Sequence, residues 1–431
     1  MKDGRQVRSV LVIGGGPAGM MAAAAAGSRG LKTILLEKNH INGRVLLGKK
    51  LRITGNSRCN VTNDTDINGL INHIPTNGKF LYSAFYHFAA QDTIDLLNRY
   101  GVPTKIEDRK RVIPESEQSK DVVEALKKYM HEQRVEIAQG EVNKIEKGHD
   151  GKYVVVFQTI EGASHQQEYV QKTLVVDSVI IATGGKSHPQ TGSTGDGYEF
   201  ARQFGHTVTP LRGSLVPVVA EESWIKELQG ISLRDVTVTV KCSGRKSGHI
   251  YKTAGDILFT HYGVTGPAIL FASAHMKDYQ SSKYILEIDL LPQLTKDCLD
   301  RELSKEIEIH GSKQINSILQ TFLPKNLIHV LLKHLQICYD KHANQISHSE
   351  RMMIVGLLKK LIITVGALRS IREATVTSGG ICVKEVNPKT MESKLHEGLF
   401  FAGEVLDVDG YTGGYNIQIA ISTGHVAGLF C

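Results

Sequence analysis

One stretch constrains this chain more than any other: VLVIGGGPAGMMAAAAAGSRGLKTILLEK, residues 10–38. Basic residues precede it (Lys2, Arg5, Arg8), and small apolar residues follow, the layout of a secretory leader. A leader requires an unbroken apolar helix of about 7–15 residues. Gly14, Gly15, Gly16, Pro17 and Gly19 interrupt this one, at roughly 1 kcal/mol per glycine and 3 kcal/mol for proline in a helix interior. VLVI instead suits a buried parallel strand. MMAAAAAGSRG suits a helix stopped by Gly27 or Gly30, and LKTILLEK suits a second strand. The expectation is a strand, glycine turn, helix, strand unit.

The glycines at 14, 16 and 19 have the G-x-G-x-x-G spacing. Gly14 permits a tight turn, Gly16 a close backbone approach to a pyrophosphate, and Gly19 close packing of helix on strand. A helix N-terminus beginning at Pro17 and Ala18 presents free N–H groups and partial positive charge to phosphates. Glu37 ends the second strand, where its carboxylate accepts from ribose hydroxyls. This unit binds a dinucleotide; spacing alone does not choose FAD over NAD.

At 431 residues the chain has room for two or three domains. Hydrophobic residues make up 41% and charged residues 22%, as in soluble globular proteins. No uninterrupted apolar run reaches the length of a membrane span. The cysteines at 59, 242, 298, 338, 382 and 431 are scattered, with no C-x-x-C and no zinc spacing. Without a leader, this composition predicts a reducing, cytoplasmic setting. The formal charge of +7 suits an anionic cofactor or RNA without selecting either. Nothing in the sequence specifies an oligomeric state.

Residues 80–100 and 119–134 read as helices. VEIAQGEVNKIEK, GKYVVVFQ and LVVDSVIIATGG read as strands, the last buried. From about 207, VTVTVKC, GHIYKTAGDILFT and KYILEIDL alternate as an antiparallel β unit. Residues 293–365 carry a helical pattern. The tail returns to strand, glycine turn and helix. The predicted fold class is α/β: a Rossmann-like dinucleotide-binding domain (1–206 and 366–431) interrupted by a barrel-like β insertion (207–292) and a helical insertion (293–365).

Two further segments carry nucleotide signatures. The strand VIIATGG ends in Gly184 and Gly185 and leads through Gly192, Gly195 and Gly197 into a helix. It lacks a βαβ unit of its own and is read as wrapping the same cofactor. In GLFFAGEVLDVDGYTGGYNIQIAISTG, a strand ends at Glu404 and a loop through Gly413 and Gly414 starts a helix. That helix start is positioned to favour negative charge on a reduced ring.

With GGGPAG, ATGG and FAGE in hand, the chain resembles the two-dinucleotide-fold flavoproteins. LRITGNSRCNVTN, ATGGKSHPQTGSTGDGY, LFTHYGVTGPAIL and GLFFAGEVLDVDGYTGGYN together resemble the HI0933-like, or YhiN-like, family of FAD-dependent oxidoreductases. The resemblance spans nearly the whole chain. TGNSRCN stands where that family more often has a run of glycines, and RKRVIP where it often has a GRVFP-like segment. The resemblance implies FAD as cofactor and three activities: reduction of C=C bonds in 3-oxo bile acids, reduction of ribosomal uracil to dihydrouracil, and oxidation of aminoacetone by dioxygen. It also implies cofactor contacts from Gly14, Gly16, Pro17, Ala18, Gly19, Glu37, Lys38, Lys49, Ser57, Arg58, Asn60, Val142, Ala182, Thr183, Gly184, Gly185, Gly403, Glu404, Asp407, Gly413, Gly414, Tyr415, Asn416 and Ile417.

The first two activities share a reaction: hydride adds to a double bond conjugated to a carbonyl, and a proton goes to the other carbon. Two candidates carry catalysis. Cys59 follows Arg58, whose charge favours a thiolate and therefore a nucleophile or redox thiol; the other reading is a small buried residue. His261 titrates near neutrality and lies in the β insertion, which is expected to close over the flavin; the other reading is a structural histidine. Tyr411 and Tyr415 flank the Gly-Gly turn as stacking or donor groups, or as core.

Lys38, Arg44, Lys49, Lys50, Arg52 and Arg58 form an acid-free stretch, as do Lys241, Arg245, Lys246 and Lys252. Both are read as FAD or RNA phosphate contacts, or as solvated faces. The leading reading is an NAD(P)H-fed reductase of uracil in large-subunit ribosomal RNA or of a small enone. NAD(P)H would bind transiently, since no second Rossmann fingerprint appears. The alternatives are a dioxygen-using amine oxidase, disfavoured by only 6% aromatic residues for a cage, and a non-catalytic flavin-bearing RNA binder.

Overall fold

The computed structural model describes residues 7–55, 57–161, 168–242, 249–277 and 281–431. Lys2, Arg5, Arg245 and Lys246 lie outside the described residues. The chain forms two compact units, Met1–Gly213 with Ile371–Cys431, and Ser214–Ser370.

Along the chain, strand β1 (Ser9–Ile13), helix α1 (Pro17–Ser28) and strand β2 (Lys32–Glu37) open the first unit. Then come β3 (Thr62–Asn63), α2 (Tyr82–His87), α3 (Ala90–Arg99), β4 (Thr104–Glu107), β5 (Arg111–Pro114) and α4 (Ser119–Glu132). The strands β6 (Glu136–Gln139), β7 (Glu141–Lys147), β8 (Tyr153–Glu161), β9 (Glu168–Val176) and β10 (Ser178–Ile181) precede α5 (Asp196–Gln203). The second unit contains β11 (Val218–Ala220), β12 (Ser232–Cys242), β13 (His249–Thr260), β14 (Gly263–Thr265) and β15 (Tyr284–Asp289). Helices α6 (Lys296–Ile309), α7 (Lys325–His334) and α8 (His348–Lys359) follow, then β16 (Leu361–Leu368). The chain ends in the first unit with β17 (Leu399–Phe401) and α9 (Tyr415–Phe430).

The first unit is built on a parallel sheet in the order β17-β10-β1-β2-β6. Its central strands are apolar because both faces are covered: Leu11, Val12, Val179 and Ile180 are fully buried. Helix α1 is apolar all round and buried from Ala18 to Ala26, as expected of a core helix. Its small residues let it meet α9 backbone to backbone. A Cβ on Gly424 would lie 2.2 Å from Ala18 O, and one on Gly428 2.2 Å from Ala22 O. Of the two predicted helix stops, Gly30 is the left-handed one (φ +77°), while Gly27 lies within α1, where a Cβ would meet Gln133 O at 2.6 Å. LVVDSVII, read as one strand, divides at Asp177. The Asp177 carboxylate accepts from Ser9 N–H and Oγ–H, ending antiparallel β9 and handing the chain to parallel β10.

The second unit holds a closed barrel in the order β11-β14-β13-β12-β15-β16, sealed by β11 pairing with β16. Val236, Val238, Val240, Leu286, Ile288 and Ile363 fill its fully buried positions. The helical expectation across 293–365 fails at its end. After α8 the backbone extends at Lys360 (φ −154°), and LIITV pairs antiparallel with Tyr284–Ile288. A β-branched run with an open barrel edge beside it gains a full ladder as a strand. No helix among the described residues is long and apolar enough to cross a membrane.

Candidate functional site

The first unit gathers its glycine turns at the C-terminal ends of the parallel strands, the edge where open α/β sheets bind ligands. At the end of β1, Gly14 adopts φ +106°, and a Cβ there would meet Ala182 O at 2.6 Å. A Cβ on Gly19 would lie 1.8 Å from Gly14 O, so the turn and α1 touch directly. Gly16 differs: nothing lies within 4 Å of its Cβ position. It is the N-cap of α1, no side chain caps it, and Pro17 follows at the first helical position. The cradle is therefore closed below by Gly14 and Gly19 and open above Gly16, where α1 begins without a side-chain cap.

Glu37, at the end of β2, accepts from Gly15 N–H, Asn39 N–H and Asn39 Nδ2–H, each at 2.7 Å. This pins the carboxylate beside the glycine turn and leaves acceptor capacity for a hydroxyl. The Gly140 N–H donates to Glu37 O at 3.0 Å, and Val142 is buried two residues on, opposite Phe157. At the end of β10, Ala182, Thr183, Gly184 and Gly185 form the neighbouring rim. Thr183 Oγ1 is buried with no hydrogen-bond partner among the described residues.

The third rim follows β17. Gly403 is left-handed (φ +78°). Burial pushes the Glu404 carboxyl up, but the Lys50 charge and the donors Thr377 N–H, Lys50 Nζ and Ser187 Oγ outweigh it and hold it below the usual range. Asp407 is pushed upward, by burial first and by neighbouring Asp409. Gly413 (φ +117°) and Gly414 (φ +102°) lead into α9, whose N-terminus no side chain caps. Tyr415 and Ile417 are buried in its first turn. The Asn416 amide braces the preceding turn, bonding Gly410 N–H at 2.8 Å and Gly410 O at 2.7 Å.

Thr62 presses on this turn: a Cβ on Gly414 would sit 2.2 Å from Thr62 O. Asn63 Nδ2 donates to Gly413 O at 3.3 Å. The loop carrying Ser57, Arg58, Cys59 and Asn60 thus runs into β3 alongside the start of α9. Ser57 (φ +68°) and Cys59 (φ +63°) are left-handed. Cys59 is fully buried, and burial pushes its thiol up to about 12. The expected thiolate is therefore not formed at neutral pH. Arg58 does not serve it, because its guanidinium pairs with Glu107 and Glu117.

The acid-free run is neutralised by carboxylates distant in sequence. Lys38 pairs with Asp196 and bonds Thr194; Lys50 pairs with Glu404 and Arg52 with Glu124. Lys49 reaches Asn39 Oδ1 at 3.3 Å. Among the described residues, Arg44 and Lys49 make no ion pair. Tyr415 stacks on His73, with centroids 4.6 Å apart and planes 4° apart. His261 is exposed in the second unit, between β13 and β14, with its ring edge-on to Tyr262 at 4.8 Å.

Sequence reasoning missed Asn39, Asn63, His73, Ser187 and Thr377, and it named Lys50 and Glu404 without their pairing. Asn39 had a local signal, two residues beyond the strand-ending acid. The others meet their partners only across long sequence separations.

These features fit a dinucleotide with two ends. The Gly14–Gly19 turn and α1 would hold the pyrophosphate, Glu37 the ribose, and the α9 N-terminus the ring.

A family model, the HI0933-like protein Rossmann domain, matches residues 8–430. The chain is 31% identical to a ribosomal RNA dihydrouridine synthase of Haemophilus influenzae, over 97% of both chains. It is 30% identical to the enzyme of that name in Escherichia coli, over 96% of this chain and 95% of that one. It is also 30% identical to a 3-dehydro-bile acid delta(4,6)-reductase of Clostridium scindens, over 97% of both. The cradle, its uncapped helix starts and a match over almost every residue place the chain in the HI0933-like family of FAD-dependent oxidoreductases.

Proposed function

We propose that this protein reduces a carbon–carbon double bond conjugated to a carbonyl, with uracil in large-subunit ribosomal RNA as substrate, giving dihydrouridine. A small enone such as a 3-oxo bile acid is the competing substrate. Relatives matched over at least 95% of their length carry both names, and both names describe the same reduction. The setting is cytoplasmic, and NAD(P)H is the transient electron donor.

A bound flavin supplies hydride when reduced. The chain must supply orientation and a proton. The α9 N-terminus directs free N–H groups and partial positive charge at the ring's end of the site. Hydride goes to the carbon β to the carbonyl, the π pair moves to the α carbon, and a proton closes the reaction there. The observation that carries the assignment of that proton is the buried, protonated Cys59 thiol in the loop leading to the strand that abuts Gly414. Burial keeps the thiol protonated across the physiological range, so the proton it would deliver is in place at neutral pH. His261 is the second candidate donor.

The test is anaerobic reduction of the yellow protein by NAD(P)H, then mixing with uracil-containing RNA, a 3-oxo-4-ene steroid or air-saturated buffer in a stopped-flow instrument. Fast reoxidation by RNA and slow reoxidation by air is expected. Fast reoxidation by air alone transfers the assignment to the amine oxidase. Failure of NAD(P)H to reduce the flavin favours a non-catalytic binder.

A further inference from the structure

Four of the six cations of the acid-free run, Lys38, Lys50, Arg52 and Arg58, are spent on internal ion pairs, so an RNA substrate needs further phosphate contacts beyond Arg44 and Lys49. The hairpin β4–β5 supplies the cations. Its tip, Asp108–Arg109–Lys110, is exposed. Arg109 (φ +58°) and Lys110 (φ +59°) are consecutive left-handed residues, a conformation that side chains with a Cβ rarely adopt. The backbone is held there from beneath. Asn63 Nδ2 donates to Arg109 O at 3.0 Å, and Asp64 N–H donates to Lys110 O at 2.8 Å.

Two of the acids around the tip are already engaged. Glu107 pairs with Arg58 and Arg111, and Glu117 pairs with Arg58 and Lys105. Among the described residues, Arg109 and Lys110 make no ion pair. With Asp108 and Asp64 included, these groups comprise five cations against four carboxylates.

The tip is tied to the site. The Asn63 amide that holds Arg109 O also bonds Gly413 O, at the turn that starts α9. On the other side of that turn, Tyr411 N–H donates to His73 O at 3.0 Å, and exposed His73 stacks on Tyr415. The turn thus lies between two exposed free cations and an exposed aromatic platform. Cations that track a backbone beside a ring that accepts a base are what single-stranded RNA requires. A base must leave its stack to reach a buried ring.

The geometry points to Arg109 and Lys110 as the contacts that grip phosphates of a single-stranded RNA flanking the base to be reduced. This rests on the uracil-reductase reading above. A protein partner or a membrane surface would use the cations but leave His73 without a role.

The test is fluorescence anisotropy of the flavin-loaded protein with a fluorescein-labelled oligouridylate across a salt series. The variant is Arg109→Gln with Lys110→Gln; retained flavin absorbance shows that it is folded. Each phosphate contact on a single strand contributes about 0.7 to the slope of log affinity against log salt. The double variant is expected to bind roughly 10-fold more weakly at low salt and to lose about 1.4 from that slope. Lys110→Gln alone, which keeps the Arg109 side chain, should lose about half, and it serves as the variant if the double one sheds flavin. Lys144→Gln with Lys172→Gln, the same charge change on β7 and β9, should leave the slope unaltered.

An unchanged slope in the Arg109/Lys110 variant, or an equal drop in the Lys144/Lys172 variant, overturns the assignment. Reoxidation of the reduced protein by oligouridylate is read separately. If RNA reoxidises it and the slope is unmoved, the phosphate contacts fail while the uracil reading stands. If RNA neither binds nor reoxidises it, both fail.

Discussion

At the scale of single residues, the glycines of the cradle divide into those the fold needs and one that the ligand needs. Gly19 meets Gly14 O at 1.8 Å if given a Cβ, whereas Gly16 meets nothing and has an extended φ of −78°. Gly16→Ala should leave the unfolding free energy of flavin-free protein within about 0.5 kcal/mol of wild type. It should weaken FAD binding at least roughly 10-fold, because the methyl group stands where a pyrophosphate approaches. Gly19→Ala should instead destabilise the flavin-free protein itself, by about 1–3 kcal/mol for overpacking. Paired calorimetry and flavin titration separate the two. Cys59 makes a second residue-scale prediction. Burial raises its pKa to about 12, so the folded protein holds the proton that an unfolded thiol would release from about pH 8.5 upward. The thiol stays protonated below that range, and with Cys59 as the proposed proton donor the rate of double-bond reduction should show no Cys59-dependent limb between about pH 6 and 9. Cys59→Ala should lower that rate by roughly 10²–10⁴ while flavin reduction persists. A limb near pH 7 that vanishes in Cys59→Ala would contradict this and restore the thiolate reading.

At the scale of elements, β16 was the segment most open to misreading. SERMMIVGLLKKLIITV runs a helix straight into a strand without glycine or proline between them. Apolar runs of this length suit either state, and the choice falls to the gap between β15 and β11, which only a strand closes. The alternation that results is measurable. Ile363 is fully buried and Ile362 is 44% exposed. Ile363→Ala should cost about 2–5 kcal/mol in urea unfolding, and Ile362→Ala under about 1 kcal/mol. Comparable losses at both positions would contradict the barrel. Helix α1 was legible for the opposite reason: glycine, proline and alanine punctuate it, and small residues on both partners are what let it lie against α9.

At the scale of the whole molecule, segments far apart in sequence meet around the site, and their charges are balanced there. Lys50 and Glu404 are 354 positions apart and pair at 2.9 Å. Lys50→Met should destabilise the protein on the order of 2 kcal/mol by leaving a largely buried carboxylate without its cation. The folded-state pKa of Glu404 is lowered, so its contribution is present above the ordinary carboxylate range and is lost as pH falls through the lowered value. In Lys50→Met that loss should move to higher pH, which acid-unfolding curves would show. The sequence by itself determined the dinucleotide cradle, the α/β class and the β insertion, because each rests on local backbone chemistry: glycine spacing, period-two alternation and an acid at a strand end. It also pointed to Cys59 and to the Gly413–Gly414 turn. Only the tertiary structure decided that Cys59 is a buried thiol, that Arg58 and Lys50 are spent on Glu107, Glu117 and Glu404, and that Arg109 and Lys110 make no ion pair among the described residues. Protonation and charge pairing depend on burial and on neighbours hundreds of residues away, and no local pattern in a chain encodes them.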